Sequence, residues 1–168
     1  MRVAAVVLAA GEASRFGSPK QRVLLPRVLE RLRETSVDEI VVVEGAYELT
    51  AGDTRIVSCP DWERGPGASL RCGLAALAED VEAAVVVLAD GPNLAPRAID
   101  RILDDWRENG VAVAASYAGA RGHPLVVGRG DWEDIPDEGL RDRAVRLVPC
   151  DDLGAPGDVD VPEDLERL

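Results

Sequence analysis

Valine-rich apolar runs alternate along this chain with stretches in which apolar residues recur every three or four positions. The runs predict buried strands at Arg2–Leu8, Glu39–Val43, Arg55–Ser58, Ala83–Leu88 and Val111–Ser116. The second pattern predicts amphipathic helices carrying Leu25, Val28, Leu29 and Leu32, then Leu70, Leu74 and Leu77, then Ile99, Ile102, Leu103 and Trp106. Pro26 and Pro96 are read as standing in first helical turns, where a residue without an N–H is tolerated. A helix follows most strands, the order expected when right-handed crossovers lay helices on both faces of a mostly parallel sheet. The predicted fold class is therefore α/β, a three-layer α/β/α sandwich of Rossmann-like type. After Tyr117 the pattern loosens: Gly119, Gly122, Gly128, Gly130 and Pro136 punctuate short elements, and a last helix is predicted from Pro162. No repeat, low-complexity segment or linker interrupts the chain, so residues 1–168 are read as one domain.

In open sheets of this kind, ligands bind beyond the carboxyl ends of the strands. The unusual residues fall there. Leu8, Ala9, Ala10 and Gly11 end the first strand, Leu88 to Gly91 end the fourth, and Gly119 to Pro124 follow the fifth.

The segment LAAGEASRFGSPKQ, Leu8 to Gln21, leaves its strand through small residues, turns at Gly11 and Gly17, and presents Ser14, Arg15 and Lys20. Small residues let a ligand approach the backbone, exposed amides can cradle phosphate oxygens, and two cations can neutralise a polyphosphate. It has neither the Gly-Lys-Ser/Thr ending of a Walker loop nor the three-glycine dinucleotide fingerprint. By residues alone, an ordinary glycine-rich turn with surface cations remains the alternative.

Asp90 ends an apolar strand, so its carboxylate emerges at the ligand edge. That suits a hard cation such as Mg²⁺, and the alternative is a helix or turn cap ahead of Pro92. Alternation turns Asp158 and Asp160 to one side of an extended segment, each as a metal ligand or as the cap of the last helix. Ser69 enters a helix from a glycine-rich turn, where it can read the edge of a base or serve as N-cap. His123 is the only histidine. A sole histidine near neutral pKa invites an acid-base role, and the alternative is a structural histidine satisfied by local hydrogen bonds. By its residues alone, the run from Asp137 to Arg141 reads as a solvated turn.

Charge narrows the partners. The formal net charge is −12, which argues against nucleic acid or an anionic membrane, since both need an extended basic face. Residues 1–34 nevertheless hold seven basic and three acidic side chains, +4, which leaves −16 for the remainder. The apolar run from Val3 to Ala10 is too short to span a bilayer. The three cysteines, Cys59, Cys72 and Cys150, are odd in number and lack metal-type spacing. They are read as unpaired thiols in a reducing cytoplasm.

The Leu8–Gln21 segment is followed, in order, by PDWERGPGASLRCGLAAL, VVVLADGP, RGHPLVVGR, DEGLR and DVDVPEDLERL. Together they resemble the nucleotidyltransferase superfamily typified by molybdenum cofactor cytidylyltransferase, over nearly the whole chain. The resemblance implies that Leu8, Ala9, Ala10, Gly11, Ser14, Arg15, Lys20 and Ser69 bind a nucleotide, and that Arg15, Lys20 and Asp90 are catalytic. It further implies that Asp90 with Asp158 or Asp160 holds Mg²⁺, and that His123 and Arg141 lie toward the acceptor. Ala10 is similar to the CTP-using branch, whereas the guanylyltransferase branch usually has glycine there. The resemblance implies a phosphorylated acceptor, molybdopterin before others, with release of pyrophosphate and a molybdoenzyme maturation partner. Departures are visible: few residues separate Lys20 and Gln21 from the first helix, Gly91 stands where the family has glutamine, Val161 where it has threonine, and Gly45 to Asp53 is short. These keep a guanylyltransferase, a transferase for another phosphorylated acceptor, and a non-catalytic nucleotide-binding protein as alternatives.

Overall fold

The computed structural model describes residues 1–11 and 20–157, Lys20 by its backbone alone. Strand β1 (Arg2–Leu8) has five consecutive fully buried residues, Val3 to Val7. Only a strand covered on both faces can bury an unbroken apolar run, and β1 lies mid-sheet between β2 (Glu39–Glu44) and β4 (Val81–Leu88). Outward from β2 comes β3 (Arg55–Ser58). Beyond β4 the order is β6 (Ala120–Gly128), β5 (Val113–Tyr117) and β7 (Arg146–Pro149). All neighbours pair in parallel except β6, which runs antiparallel to both β4 and β5.

Helices α1 (Lys20–Leu32) and α3 (Pro96–Asn109) cover one face, where Leu25, Val28, Ile99 and Ile102 meet Val3, Ala5 and Val7. Helix α2 (Pro66–Ala75) covers the other with Leu70 and Leu74 against Ala4, Val6 and Val43. It lies very close: a Cβ on Gly73 would stand 2.5 Å from a methyl of Val6. The three-layer α/β/α expectation therefore holds.

Four expectations change in detail. Strand β4 begins at Val81 rather than Ala83, and β5 at Val113 rather than Val111. Pro26 is not in a first turn, because α1 starts at Lys20 and Pro26 lies inside the helix. It sits on the exposed side, so the carbonyl its missing N–H leaves free faces water. Pro96 does open its helix as expected. After Tyr117, the loosened pattern conceals two strands. The first half of β6 is polar and half-buried and its second half fully buried, so neither periodicity shows; β7 is short, mostly exposed and ends in proline. The helix expected from Pro162 lies outside the described residues.

Candidate active site

The chain moves outward from β1 through β2 to β3 and then returns to β4 on the other side of β1. This reversal makes the carboxyl ends of β1 and β4 a topological switch point, where open α/β sheets bind ligands. Leu8 and Leu88 are register partners at that edge. The Ala9 amide donates to the Val43 carbonyl at 3.0 Å and the Ala89 amide to the Leu8 carbonyl at 3.1 Å, so both strand exits stay pinned past the last ladder pair. Ala9 and Ala10 are buried and Gly11 is exposed, so the chain emerges at the crevice through its smallest residues. The Ala10 methyl packs beside Gly45, where an added Cβ would stand 2.9 Å from it.

Asp90 lies half-buried two residues past the end of β4, in a turn closed by the Gly91 amide donating to the Leu88 carbonyl at 3.3 Å. Helix α3 starts only at Pro96 with Ala95 as its N-cap, so Asp90 does not cap it. Ser69 is likewise no cap, since Gly65 holds that place and Pro66 opens α2. Ser69 is 3% exposed and lies in the turn of α2 that faces the crevice.

Because β6 runs backwards, its first residues lie beside the end of β4. His123 is thus a strand residue and not part of a turn after β5 as the glycine pattern implied. It lines two cavities at the strand ends, one of about 520 Å³ with Pro66, Leu70, Arg121 and Arg141, the other of about 330 Å³ with Gly91, Leu94 and Tyr117. Burial, with help from the Arg121 guanidinium, holds the His123 pKa below its ordinary value and favours the neutral ring. The Tyr117 hydroxyl donates to the His123 carbonyl at 3.0 Å, and burial pushes its pKa up to about 12.

The outer wall of the larger cavity is the run from Glu138 to Arg141, which is a cavity wall and not merely a solvated turn. Gly65 and Gly67 let it approach. A side chain on Gly67 would collide with the Pro136 carbonyl, and the Gly67 amide donates to the Asp137 carbonyl at 2.8 Å. Arg71 donates to the Ile135 carbonyl at 2.6 Å and to Asp137 Oδ1 at 2.5 Å, and this bond holds the Asp137 carboxyl below the usual range. Arg121 donates to the carbonyls of Leu140 and Arg143, each at 2.7 Å. Its guanidinium is largely committed to the backbone, whereas Arg141 stands exposed on the rim.

The structure therefore brings Leu8, Ala9, Ala10, Gly11, Ser69, Asp90, His123 and Arg141 to one edge. Ser14, Arg15, Asp158 and Asp160 lie outside the described residues, and so does the Lys20 side chain. The basic N-terminal segment is not one patch: Arg2 pairs with Asp80 at 3.0 Å and Arg33 bonds Thr54 at 3.3 Å, both away from the strand-exit edge. Among the described residues, no three or more His, Cys, Asp or Glu side chains gather to hold a metal. A single strand-end carboxylate still fits a cation that takes its other ligands from phosphate and water.

Sequence reading missed two features. Cys59 and Cys72 are joined in a disulfide with Cα atoms 5.8 Å apart, which overturns the reading of three unpaired thiols and leaves only Cys150 free. The bridge ties α2 to the end of β3, and a separation of thirteen residues gave no motif to announce it. Gln21 is the second. It is a polar residue on the buried stripe of α1, and that misfit with Leu24, Leu25 and Val28 was the signal available.

Residues 5–149 match the MobA-like NTP transferase domain. The chain belongs to that family. Among solved structures, the homolog of Mycobacterium tuberculosis Rv0371c from Mycobacterium sp. strain JC1 is 27% identical, with a TM-score of 0.81 over 99% of this chain and 96% of that one. Rv0371c of Mycobacterium tuberculosis H37Rv in complex with manganese is 28% identical, with a TM-score of 0.80 over 100% of this chain and 98% of that one. Molybdopterin-guanine dinucleotide biosynthesis protein A of Archaeoglobus fulgidus shares the fold at 15% identity, with a TM-score of 0.71 over 98% of this chain and 95% of that one. No curated protein matches the chain in sequence. In this MobA-like member, no helix among the described residues is long and apolar enough to cross a membrane.

Proposed function

We propose that this MobA-like protein transfers a nucleoside monophosphate from CTP to a phosphorylated acceptor of the molybdopterin class, with release of pyrophosphate. The observation that carries the reading is the convergence, at the β1/β4 switch point, of a small-residue strand exit, a strand-end carboxylate and a cavity rimmed by Arg141. In this reading, backbone amides at Ala10 and Gly11 with Arg15 and Lys20 hold the triphosphate, and Ser69 faces the base. Arg141 neutralises the acceptor phosphate, since Arg121 is spent on carbonyls. An oxygen of the acceptor phosphate attacks the α-phosphorus in line, that P–O bond forms, and the bond to the bridging oxygen of the β-phosphate breaks. The acceptor phosphate arrives ionised, so no residue need remove a proton, and neutral His123 orients the acceptor. Asp90, with Asp158 or Asp160, would hold Mg²⁺, which supplies charge neutralisation at the phosphates when bound. The manganese complex of the 28% identical Rv0371c supports a divalent cation.

The choice of CTP rests on Ala10. Because its methyl packs beside Gly45, its influence on base size runs through the approach of that loop. We place the enzyme in the cytoplasm, where nucleoside triphosphates are kept, with a molybdoenzyme maturation protein as its partner. The acidic surface and net charge of −12 leave nucleic acid and membranes outside the reading.

A thermal-shift series with each ribonucleoside triphosphate and Mg²⁺ tests it, followed by pyrophosphate release across a panel of phosphorylated acceptors. A nucleotide at a hundred times its Kd adds about 2.7 kcal/mol of stability. CTP is expected to give the largest shift. A larger shift with GTP reverses the base assignment, and binding without pyrophosphate release under every acceptor leaves a nucleotide-binding protein in place of an enzyme.

A further inference from the structure

The two cavities that His123 lines differ in character. The larger carries charge, with Arg121, Glu138 and Arg141 in its wall. The smaller, of about 330 Å³, has no Arg, Lys, Asp or Glu among the described residues of its wall, which is built chiefly of Val87, Leu94, Tyr117, Pro124 and Pro156. Concave, mostly apolar chambers with few polar groups are the usual form of a small-molecule site. Leu88, Gly122 and His123 line both cavities, so one ligand can place its charge in the first and an uncharged part in the second.

The outer wall of the smaller cavity is the segment from Ala155 to Gly157, which lies against the turn after β4. The Asn93 amide donates to the Pro156 carbonyl at 2.9 Å. Upstream, Arg101 donates to both carboxylate oxygens of Asp152, at 2.8 and 2.9 Å, and so fixes the approach from β7. Gly91 lets the segment close down. A Cβ there would stand 2.9 Å from Pro156 Cβ and 3.3 Å from the Gly157 carbonyl oxygen. A wall fixed in this way is one that a ligand need not order, which removes a cost of binding.

The wall also selects shape and polarity. The Tyr117 hydroxyl is committed to the His123 carbonyl, and its ring lies against Gly122, where a Cβ would stand 3.0 Å from Cδ2 and Cε2. An aromatic ring in the wall favours a flat ring in the ligand, by stacking or edge contact. The neutral His123 imidazole offers one donor and one acceptor to the ring's polar edge. A sugar or polyol would instead bury several hydroxyl groups against apolar side chains, and each one without a partner weakens binding.

We propose that the smaller cavity is the subsite for an uncharged aromatic or heteroaromatic ring of the acceptor, whose phosphate lies on the Arg141 side of His123. This rests on the transferase reading above and narrows it, because it excludes sugar and polyol phosphates as acceptors.

Two phosphate monoesters separate the classes: naphthylmethyl phosphate and glycerol phosphate, each titrated calorimetrically into the unliganded protein. The first is expected to bind about tenfold or more tightly, from burial of the apolar ring surface. Gly91→Val drives the wall off the turn, and Ala155→Trp, at an exposed position, adds bulk to it. In both variants the preference for the ring is expected to vanish, with the melting temperature reporting that the fold is kept. Equal affinities in the wild type, no measurable binding of either phosphate, or a preference that survives in either folded variant overturns the proposal. A ring preference lost in both variants, in a protein that binds no CTP with Mg²⁺, leaves the subsite standing and overturns the transferase reading instead.

Discussion

The two sides of the β1/β4 seam are built by different means. On the β1 and β2 side, the ligand edge is backbone and small side chains, Ala9, Ala10 and Gly11, pinned by main-chain bonds that continue the ladder. On the β6 side, the segment from Arg129 to Val145 has no long element of its own, and its buried apolar anchors are Ile135 and Leu140. Arginines hold it in place. Arg71 reaches the Ile135 carbonyl at 2.6 Å, Arg121 the Leu140 carbonyl at 2.7 Å, and Arg143 the Asp131 carbonyl at 2.7 Å. A wall made of backbone suits a group common to all substrates, such as a polyphosphate. A wall hung on side chains can be reshaped by single substitutions, and so suits the partner that varies, the acceptor.

The largest expected effect lies on the seam itself, at the exit of β4. Asp90→Asn keeps the volume at the end of β4 and removes the charge proposed to anchor Mg²⁺. Turnover is expected to fall by roughly a hundredfold or more, as for loss of several kcal/mol of charge stabilisation. Metal-free nucleotide binding should fall much less, because the phosphate contacts remain. Rapid-quench rates beside calorimetric affinities measure the split. Wild-type turnover in the variant would remove Asp90 from the reaction and leave the β4 exit a structural turn.

The second side is probed by Arg121→Met. This removes the guanidinium bonds to the Leu140 and Arg143 carbonyls and leaves the segment attached mainly through Arg71 and its apolar anchors. The expected loss is about 1–3 kcal/mol in urea unfolding, typical for hydrogen bonds made by a charged group. The acceptor KM should rise while the CTP Kd stays near the wild-type value. Equal rises in both would show that the two sides do not act separately.

The same contrast explains what could be read in the sequence. β1, β2, β3, β4 and all three helices are local patterns, since an apolar run or a helical stripe needs no distant partner to be recognised. The parallel sheet and its ligand edge followed from them. β6 was hidden because its polar beginning faces cavities and its apolar end enters the core. The Cys59–Cys72 bridge and the arginine-to-carbonyl bonds join residues far apart, such as Arg71 and Ile135 at a separation of 64, so nothing local marks them. Asp90 and Ser69 were read at the carboxyl ends of the strands with capping open. Gly65 as the N-cap of α2 removes that alternative for Ser69, and Ala95 as the N-cap of α3 removes the helix cap, though not the turn cap, for Asp90.

The smallest effect tests whether His123, where the two sides meet, orients the acceptor or moves a proton. Burial first and Arg121 second depress its pKa, so the native state binds a proton less readily than the unfolded chain, whose histidine titrates near 6.5. Stability then rises with pH wherever the unfolded state holds more protons. The contribution is complete above about pH 6.5 and is lost as pH falls toward the depressed native value. Asp152, held at about 2 by its bond to Arg101, and Asp137, lowered by Arg71, lose theirs at lower pH, so the first acid loss belongs to His123. In His123→Gln, urea unfolding should show a flatter decline between about pH 6.5 and 5 than in wild type. Its turnover at pH 7.5 should stay within about tenfold of wild type, because the neutral ring is proposed only to orient. A drop of a hundredfold or more, the range of general acid-base catalysis, would make His123 a proton carrier and require an acceptor that arrives protonated.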